Sequence, residues 1–178
     1  MNYAEIKSTD IANGPGVRVS LFVSGCKHHC KGCFNEIAWD FNYGKEYTQE
    51  TINYILKLLE PSYISGITFL GGEPMDPVNQ PEVLNTCRQI KEKYPDKNIW
   101  LFSGYLFDKN ILGEMYNTIP ETKEIISLLD VLVDGPFILE KKNLMLQFRG
   151  SENQRIIDVK KSLENNNITL WSEHNVIS

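Results

Sequence analysis

Val17-Arg18-Val19-Ser20-Leu21-Phe22-Val23 runs without a break into Ser24-Gly25-Cys26-Lys27-His28-His29-Cys30-Lys31-Gly32-Cys33-Phe34-Asn35. The first seven residues alternate, Val17, Val19, Leu21 and Val23 against Arg18, Ser20 and Phe22, which is the period of a strand. The strand delivers a short loop from its C-terminal end, where α/β sheets and barrels carry their chemistry. On that loop stand three cysteines at CxxxCxxC spacing.

Three thiolates on one tight loop can take three irons of a four-iron cluster and leave the fourth open. Other readings compete. Positions 26, 30 and 33 also follow the spacing of a helix stripe, but Gly25 and Gly32 would each cost a helix about 1 kcal/mol. A structural zinc site built from the cysteines with His28 or His29 remains open, since Cys₃His is a common zinc set. A disulfide would leave one of the three thiols odd.

Downstream, Thr48 can cap a helix from about 49 to 60 with Ile52, Ile55, Leu56 and Leu59 as its apolar stripe. A second strand, Ile67 to Leu70, runs into Gly71-Gly72-Glu73-Pro74. Pro81 suits the first turn of a helix carrying Val83, Leu84, Cys87 and Ile90 on one face. A third strand, Ile99 to Phe102, ends in Ser103-Gly104-Tyr105. Helical stretches follow at 108–117 and 121–129. A fourth strand, Val131 to Val133, ends in Asp134-Gly135-Pro136-Phe137. Arg155 to Val159 and Ile168 to Trp171 read as short strands around a polar helix, and residues 2–12 as a short edge strand. Strands alternating with helices predict an α/β fold of mainly parallel strands. There are too few units for an eight-stranded barrel of roughly 250 residues, so a partial barrel or open curved sheet is expected.

The chain of 178 residues suits one domain, spanning 1–178, with a single substantial core. Its 42% hydrophobic and 23% charged residues are ordinary for a globular protein. No apolar run approaches the roughly 20 residues of a membrane span, and Glu5 and Asp10 break any signal-peptide pattern, so a cytoplasmic location is expected. A net charge of −5 without a basic cluster argues against nucleic acid or an anionic membrane as partner. Lys141-Lys142 reads as a solvated face, and Cys87 as a small buried hydrophobe.

The GGEP loop has glycines that let backbone approach a ligand, or it is a plain tight turn. The chain has no GxxxxGK[ST] and no GxGxxG after a strand, so nucleotide sites lack their usual signatures. Asp134 either caps its turn or faces a ligand at the rim, and Ser103 is a similar candidate. Arg149 and Arg155 can grip a carboxylate or form surface pairs. His174 has no evident partner.

CxxxCxxC after the first strand with GGEP after the next resembles the radical S-adenosylmethionine (SAM) enzymes. Three further stretches narrow the resemblance: Asn13-Gly14-Pro15-Gly16-Val17-Arg18, Asp130-Val131-Leu132-Val133-Asp134-Gly135-Pro136-Phe137, and Phe148-Arg149-Gly150-Ser151 with Asn153-Gln154-Arg155. With Gly32-Cys33-Phe34-Asn35 they look like the activating enzymes of anaerobic ribonucleoside-triphosphate reductase. The resemblance runs from about residue 5 to 172.

It implies a partial TIM-like barrel of the radical SAM type. Cys26, Cys30 and Cys33 would hold a [4Fe-4S] cluster whose fourth iron takes the amino and carboxylate groups of SAM. Gly72 and Glu73 would receive the SAM amino group, and Gly32, Cys33 and Phe34 would meet the adenine. Phe34 would supply the stacking that many relatives draw from an aromatic at the position of Gly32. Ser103 and Asp134 would add SAM contacts. It implies that a 5′-deoxyadenosyl radical takes hydrogen from a glycine of the reductase, with electrons from a flavodoxin or ferredoxin and no side-chain acid, base or nucleophile. Two rivals stand beside this reading: a small radical SAM enzyme resembling the carboxy-deazaguanine synthases, and a non-catalytic zinc-binding interaction module.

Overall fold

Residues 1–173 are described by the computed structural model, and an open seven-stranded sheet runs through them. His174 lies outside the described residues. β1 (Asn2–Asp10) and β2 (Val17–Val23) are antiparallel about the Asn13-Gly14-Pro15-Gly16 turn. A 3₁₀ turn at Glu36–Trp39 and the two-residue β3 (Lys45–Glu46) lead to α1 (Gln49–Leu59). Next come β4 (Ile64–Gly71), α2 (Gln80–Lys93) and β5 (Asn98–Phe102). A π-helix, Phe107–Met115, continues as α3 (Tyr116–Thr118) and is followed by α4 (Pro120–Leu128). β6 (Val131–Asp134), β7 (Arg155–Asp158) and α5 (Val159–Asn165) complete the order.

Across the sheet the strands run β3-β1-β2-β4-β5-β6-β7. The inner four, β2, β4, β5 and β6, are parallel, while β1, β3 and β7 pair antiparallel on the flanks. The parallel centre is what the strand and helix alternation predicts, because a crossover helix returns the chain to the same end. β3 and β7 are the two free edges, so the sheet does not close.

One face of the sheet is covered by helices. Val19, Leu21, Ile67, Phe69, Ile99 and Leu101 point into a core completed by Ile52, Ile55 and Leu59 of α1 and by Val83, Cys87 and Ile90 of α2. The stripes expected in those helices are the buried ones. Opposite, the alternate residues stand in rows. Ser20 pairs with Thr68, Thr68 with Trp100 and Trp100 with Val131; one step toward the strand C-termini, Phe22 pairs with Leu70 and Phe102 with Val133.

The lower row is sealed by Arg18, which is fully buried. Its guanidinium donates to Thr68 Oγ1 and the Ile67 carbonyl at 2.9 Å and to the Pro15 carbonyl at 3.2 Å, and it lies 5.6 Å from the Trp100 ring centroid. Burial holds its pKa down to about 10.

Three local expectations are corrected. β1 is not an edge strand, because Asn2 and Tyr3 pair with Glu46 and Lys45 of β3 on its outer side. Ile168 to Trp171 forms a single bridge between Leu170 and Ile157 rather than a strand. The helix expected at 108–117 begins as a wide turn in which the Ile111 N–H donates to the Leu106 carbonyl at 3.1 Å.

Candidate metal centre

The cysteine loop leaves β2 at Ser24 and immediately reverses. Gly25, His29 and Gly32 adopt φ of +100°, +49° and +78°, which breaks any helical path and disposes of the stripe reading. The Gly25 and Cys26 N–H groups donate to the Ala38 and Trp39 carbonyls at 2.8 and 3.1 Å, so the 3₁₀ turn buttresses the loop's root. Gly72 crosses directly against this root. Its N–H donates to the Val23 carbonyl and that of Glu73 to the Gly25 carbonyl, both at 2.7 Å.

The three loop cysteines are half-buried free thiols that line a cavity of about 440 Å³. Gly71, Gly72 and Glu73 line it too, as do Ser103 and Gly104. The upper row of the sheet, Phe22, Leu70, Phe102 and Val133, forms its apolar wall. Burial pushes the Cys26 thiol up to about 11, with the Glu73 and Cys30 charges adding to it and the His28 and His29 N–H groups opposing it. A cation bound there must displace that proton. Cys33 Sγ accepts the Asn35 N–H at 3.4 Å, the kind of bond that tunes iron–sulfur potentials.

Glu73 is fully buried and its carboxylate is saturated. It accepts from the Met75 N–H at 2.8 Å, the Gly104 N–H at 2.6 Å, Ser103 Oγ at 2.9 and 3.1 Å, and His28 Nε2 at 2.8 Å. Burial works against the His28 imidazolium, but the hydrogen bond and charge of Glu73, with Asp76 beyond, outweigh it and raise the His28 pKa. His29 stacks on Trp39, ring centroids 4.3 Å apart. Phe34 lines the mouth but is 91% exposed. Asp134 is fully buried, and its carboxylate takes Arg155 Nε at 3.0 Å, Arg155 Nη2 at 2.6 Å and the Phe107 N–H at 2.8 Å. The structure thus brings the cysteines, Gly72, Glu73, Ser103 and Phe34 to one cavity, whereas the Asp134 side chain is occupied by Arg155.

A zinc ion needs its ligands within about 2.0–2.3 Å of one point. Among the described residues no three His, Cys, Asp or Glu side chains converge in that way. His28 and His29 are engaged by Glu73 and Trp39. Three thiols spread around a cavity suit separate irons of a cluster, so the donor set fits a [4Fe-4S] group.

Residues 12–157 match the family described as 4Fe-4S single cluster domain. The anaerobic ribonucleoside-triphosphate reductase-activating protein of Vibrio cholerae is 42% identical over 158 residues, 88% of this chain and 97% of that protein. The chain belongs to this family of activating proteins. The activating proteins of phage T4 and Escherichia coli are 39% and 38% identical over 88% and 86% of this chain, and over 93% and 96% of their own lengths.

In this member of the family a [4Fe-4S] cluster is the cofactor, and the stretches beyond the cysteine loop gather around the same cavity. Asn13 of the first turn, Gly135 and Phe137 of the fourth strand's loop, and Phe148, Arg149 and Gln154 all line it. Gln154 joins the last two segments: its Oε1 accepts the Gly150 and Ser151 N–H groups at 2.9 and 3.1 Å, and its Nε2 donates to the Gly135 carbonyl at 3.0 Å. Arg149 serves the same loop, donating to the Glu152 and Gln154 carbonyls at 3.1 and 2.6 Å. Trp39 and Lys7 also line the cavity and had no signal of their own in the sequence, Trp39 in an aperiodic stretch and Lys7 in a weak strand.

Proposed function

We propose that the chain is a radical SAM enzyme that activates anaerobic ribonucleoside-triphosphate reductase by generating a glycyl radical on it. The observation that carries this is the cavity in which three half-buried thiols and Gly72 meet at the C-terminal ends of the parallel strands. The family's named activity supports it.

Cys26, Cys30 and Cys33 would hold the cluster. When bound, cluster and SAM supply one-electron cleavage to a 5′-deoxyadenosyl radical that takes hydrogen from the reductase's glycine. The chain's residues position and exclude water. Backbone at Gly72 and Glu73 receives the SAM amino group, since the Glu73 carboxylate is bonded within the protein. Gly32, Cys33 and Phe34 meet the adenine, and Ser103 and Asp134 contribute through the strand ends they hold. The rows Ser20-Thr68-Trp100-Val131 and Phe22-Leu70-Phe102-Val133 support reading the sheet as a partial TIM-like barrel, one radical SAM domain whose inner layers floor the site.

A protein substrate is favoured over a small molecule by the rim. Phe34, Leu144 and Met145 are 91%, 87% and 91% exposed, large apolar side chains on the cysteine loop and on the segment whose Leu146 and Phe148 line the cavity. No helix among the described residues is long and apolar enough to cross a membrane. We place the protein in the cytoplasm, with an external flavodoxin or ferredoxin as electron donor.

Anaerobic loading with iron and sulfide, then dithionite and SAM, tests this reading. Brown protein that forms 5′-deoxyadenosine and leaves a glycyl radical signal on the reductase is expected. No deoxyadenosine sinks both radical SAM readings. Cleavage with no signal on the reductase sinks only the activase and leaves a small-molecule enzyme.

A further inference from the structure

Four donors meet at the Glu73 carboxylate, and three of them stand on the loops that follow sheet strands. Met75 follows Glu73 on the β4 loop, while Ser103 and Gly104 follow β5. These three already satisfy a buried carboxylate. The fourth, His28 Nε2, reaches in from the middle of the cysteine loop at 2.8 Å. Its ring is held on both sides, edge-on to Tyr105 with centroids 4.4 Å apart and against Gly104, where a Cβ would lie 2.5 Å from His28 Cδ2.

At the root where the cysteine loop begins, the two loops are tied by the Glu73 N–H to the Gly25 carbonyl and by Asn79 Nδ2, which donates to the Ser24 and Glu73 carbonyls at 3.1 and 3.0 Å. Beyond that root, the span from Cys26 to Cys30 is joined to the GGEP loop by the 2.8 Å bond of half-buried His28 to Glu73 and, more loosely, by the exposed Lys27 ammonium 3.8 Å from Asp76. We propose that His28 is a positioning residue, a clasp that fixes the cysteine loop to Glu73 so that the thiols and the Gly72 backbone keep one separation. The inference rests on the reading of this cavity as a cluster and SAM centre. His28 also lines the cavity. It acts through Glu73, whose carboxylate orients the Met75 and Gly104 amides on either side of the SAM-facing backbone.

The test compares the parent protein with His28→Ala and His28→Gln, because a glutamine amide can donate to Glu73 from nearly the reach of Nε2. Before iron loading, hydrogen exchange at the Met75 and Gly104 amides is expected to speed up in His28→Ala and to return toward the parent rate in His28→Gln. After loading, iron and sulfide content should be unchanged in both variants. The SAM dissociation constant should rise about tenfold or more in His28→Ala, as for a lost hydrogen bond to a charged group, with recovery in His28→Gln. Unchanged exchange in His28→Ala overturns the clasp, and so does loss of iron from both variants, which would make His28 a ligand. If the parent itself binds no SAM, the functional reading fails while the exchange rates still decide the clasp.

Discussion

A Cβ at Gly72 would lie 2.6 Å from the carbonyl oxygen of Gly25 and 2.9 Å from its nitrogen. Both atoms are backbone, so nothing flexible can yield. Gly72→Ala therefore pushes the GGEP loop away from the cysteine loop and breaks the two 2.7 Å hydrogen bonds that join them. Overpacking of this kind costs about 1–3 kcal/mol. The expected outcome is a lower unfolding midpoint together with weakened SAM binding by the loaded protein, read by titration. Parent-like SAM affinity would remove Gly72 from the site.

The reach of sequence reasoning follows the range of the interactions. The alternating run at 17–23, the short strand-like runs at 67–70, 99–102 and 131–133 and the stripe at 52, 55, 56 and 59 are local, and each became the element expected. The cysteine spacing and the glycines at 71 and 72 are local as well. What stayed hidden depends on distant partners. Nothing near Asp134 announces that Arg155 will occupy its carboxylate, and nothing near His28 points to Glu73, 45 positions away. β3 is two residues long and carries no pattern, so β1 read as an edge. At the start of the wide turn at 107–115 the Phe107 N–H donates to Asp134, a tertiary contact that no local pattern announces.

Acid should expose the turn between β1 and β2. Asp10 is 6% exposed; burial alone would raise its pKa, but hydrogen bonds from Ser20 Oγ, the Ala12 N–H and Asn13 Nδ2, with the Lys7 charge, hold it below the ordinary 3.8. A depressed folded-state pKa adds stability that is present above the unfolded value and lost as pH falls through the folded one. Urea midpoints of the parent and Asp10→Asn should differ by a constant amount above about pH 5 and converge below about pH 4. A difference that persists unchanged at pH 3 would show that the carboxylate's charge is not what holds the turn.

The exposed rim separates docking from chemistry. Leu144 and Met145 make no cavity wall and are 87% and 91% exposed, so replacing them with aspartate leaves the fold and the thiols intact. A double Leu144→Asp, Met145→Asp variant should cleave SAM with dithionite at the parent rate. Glycyl radical yield on the reductase should fall about tenfold, the scale of one interface hot spot. Equal radical yields would mean that the reductase lands elsewhere.

Thiol chemistry gives the most direct check on the centre, because the four cysteines differ in surroundings. Cys87 is fully buried in the helix-covered core, and burial pushes its thiol up to about 12, so it should resist an alkylating reagent in the folded protein. Cys26, Cys30 and Cys33 line the cavity and should all be modified before iron loading. Loading should protect all three together, since a cluster binds them as one unit, and Cys30→Ala should abolish both the brown colour and the protection of the two that remain. Protection of only two thiols in the loaded parent, or a coloured and active Cys30→Ala protein, would contradict the three-cysteine assignment. The same variant separates cluster from fold: Cys30 is half-buried on a loop outside the core, so its loss should leave the apo-protein's unfolding midpoint within about 0.5 kcal/mol of the parent.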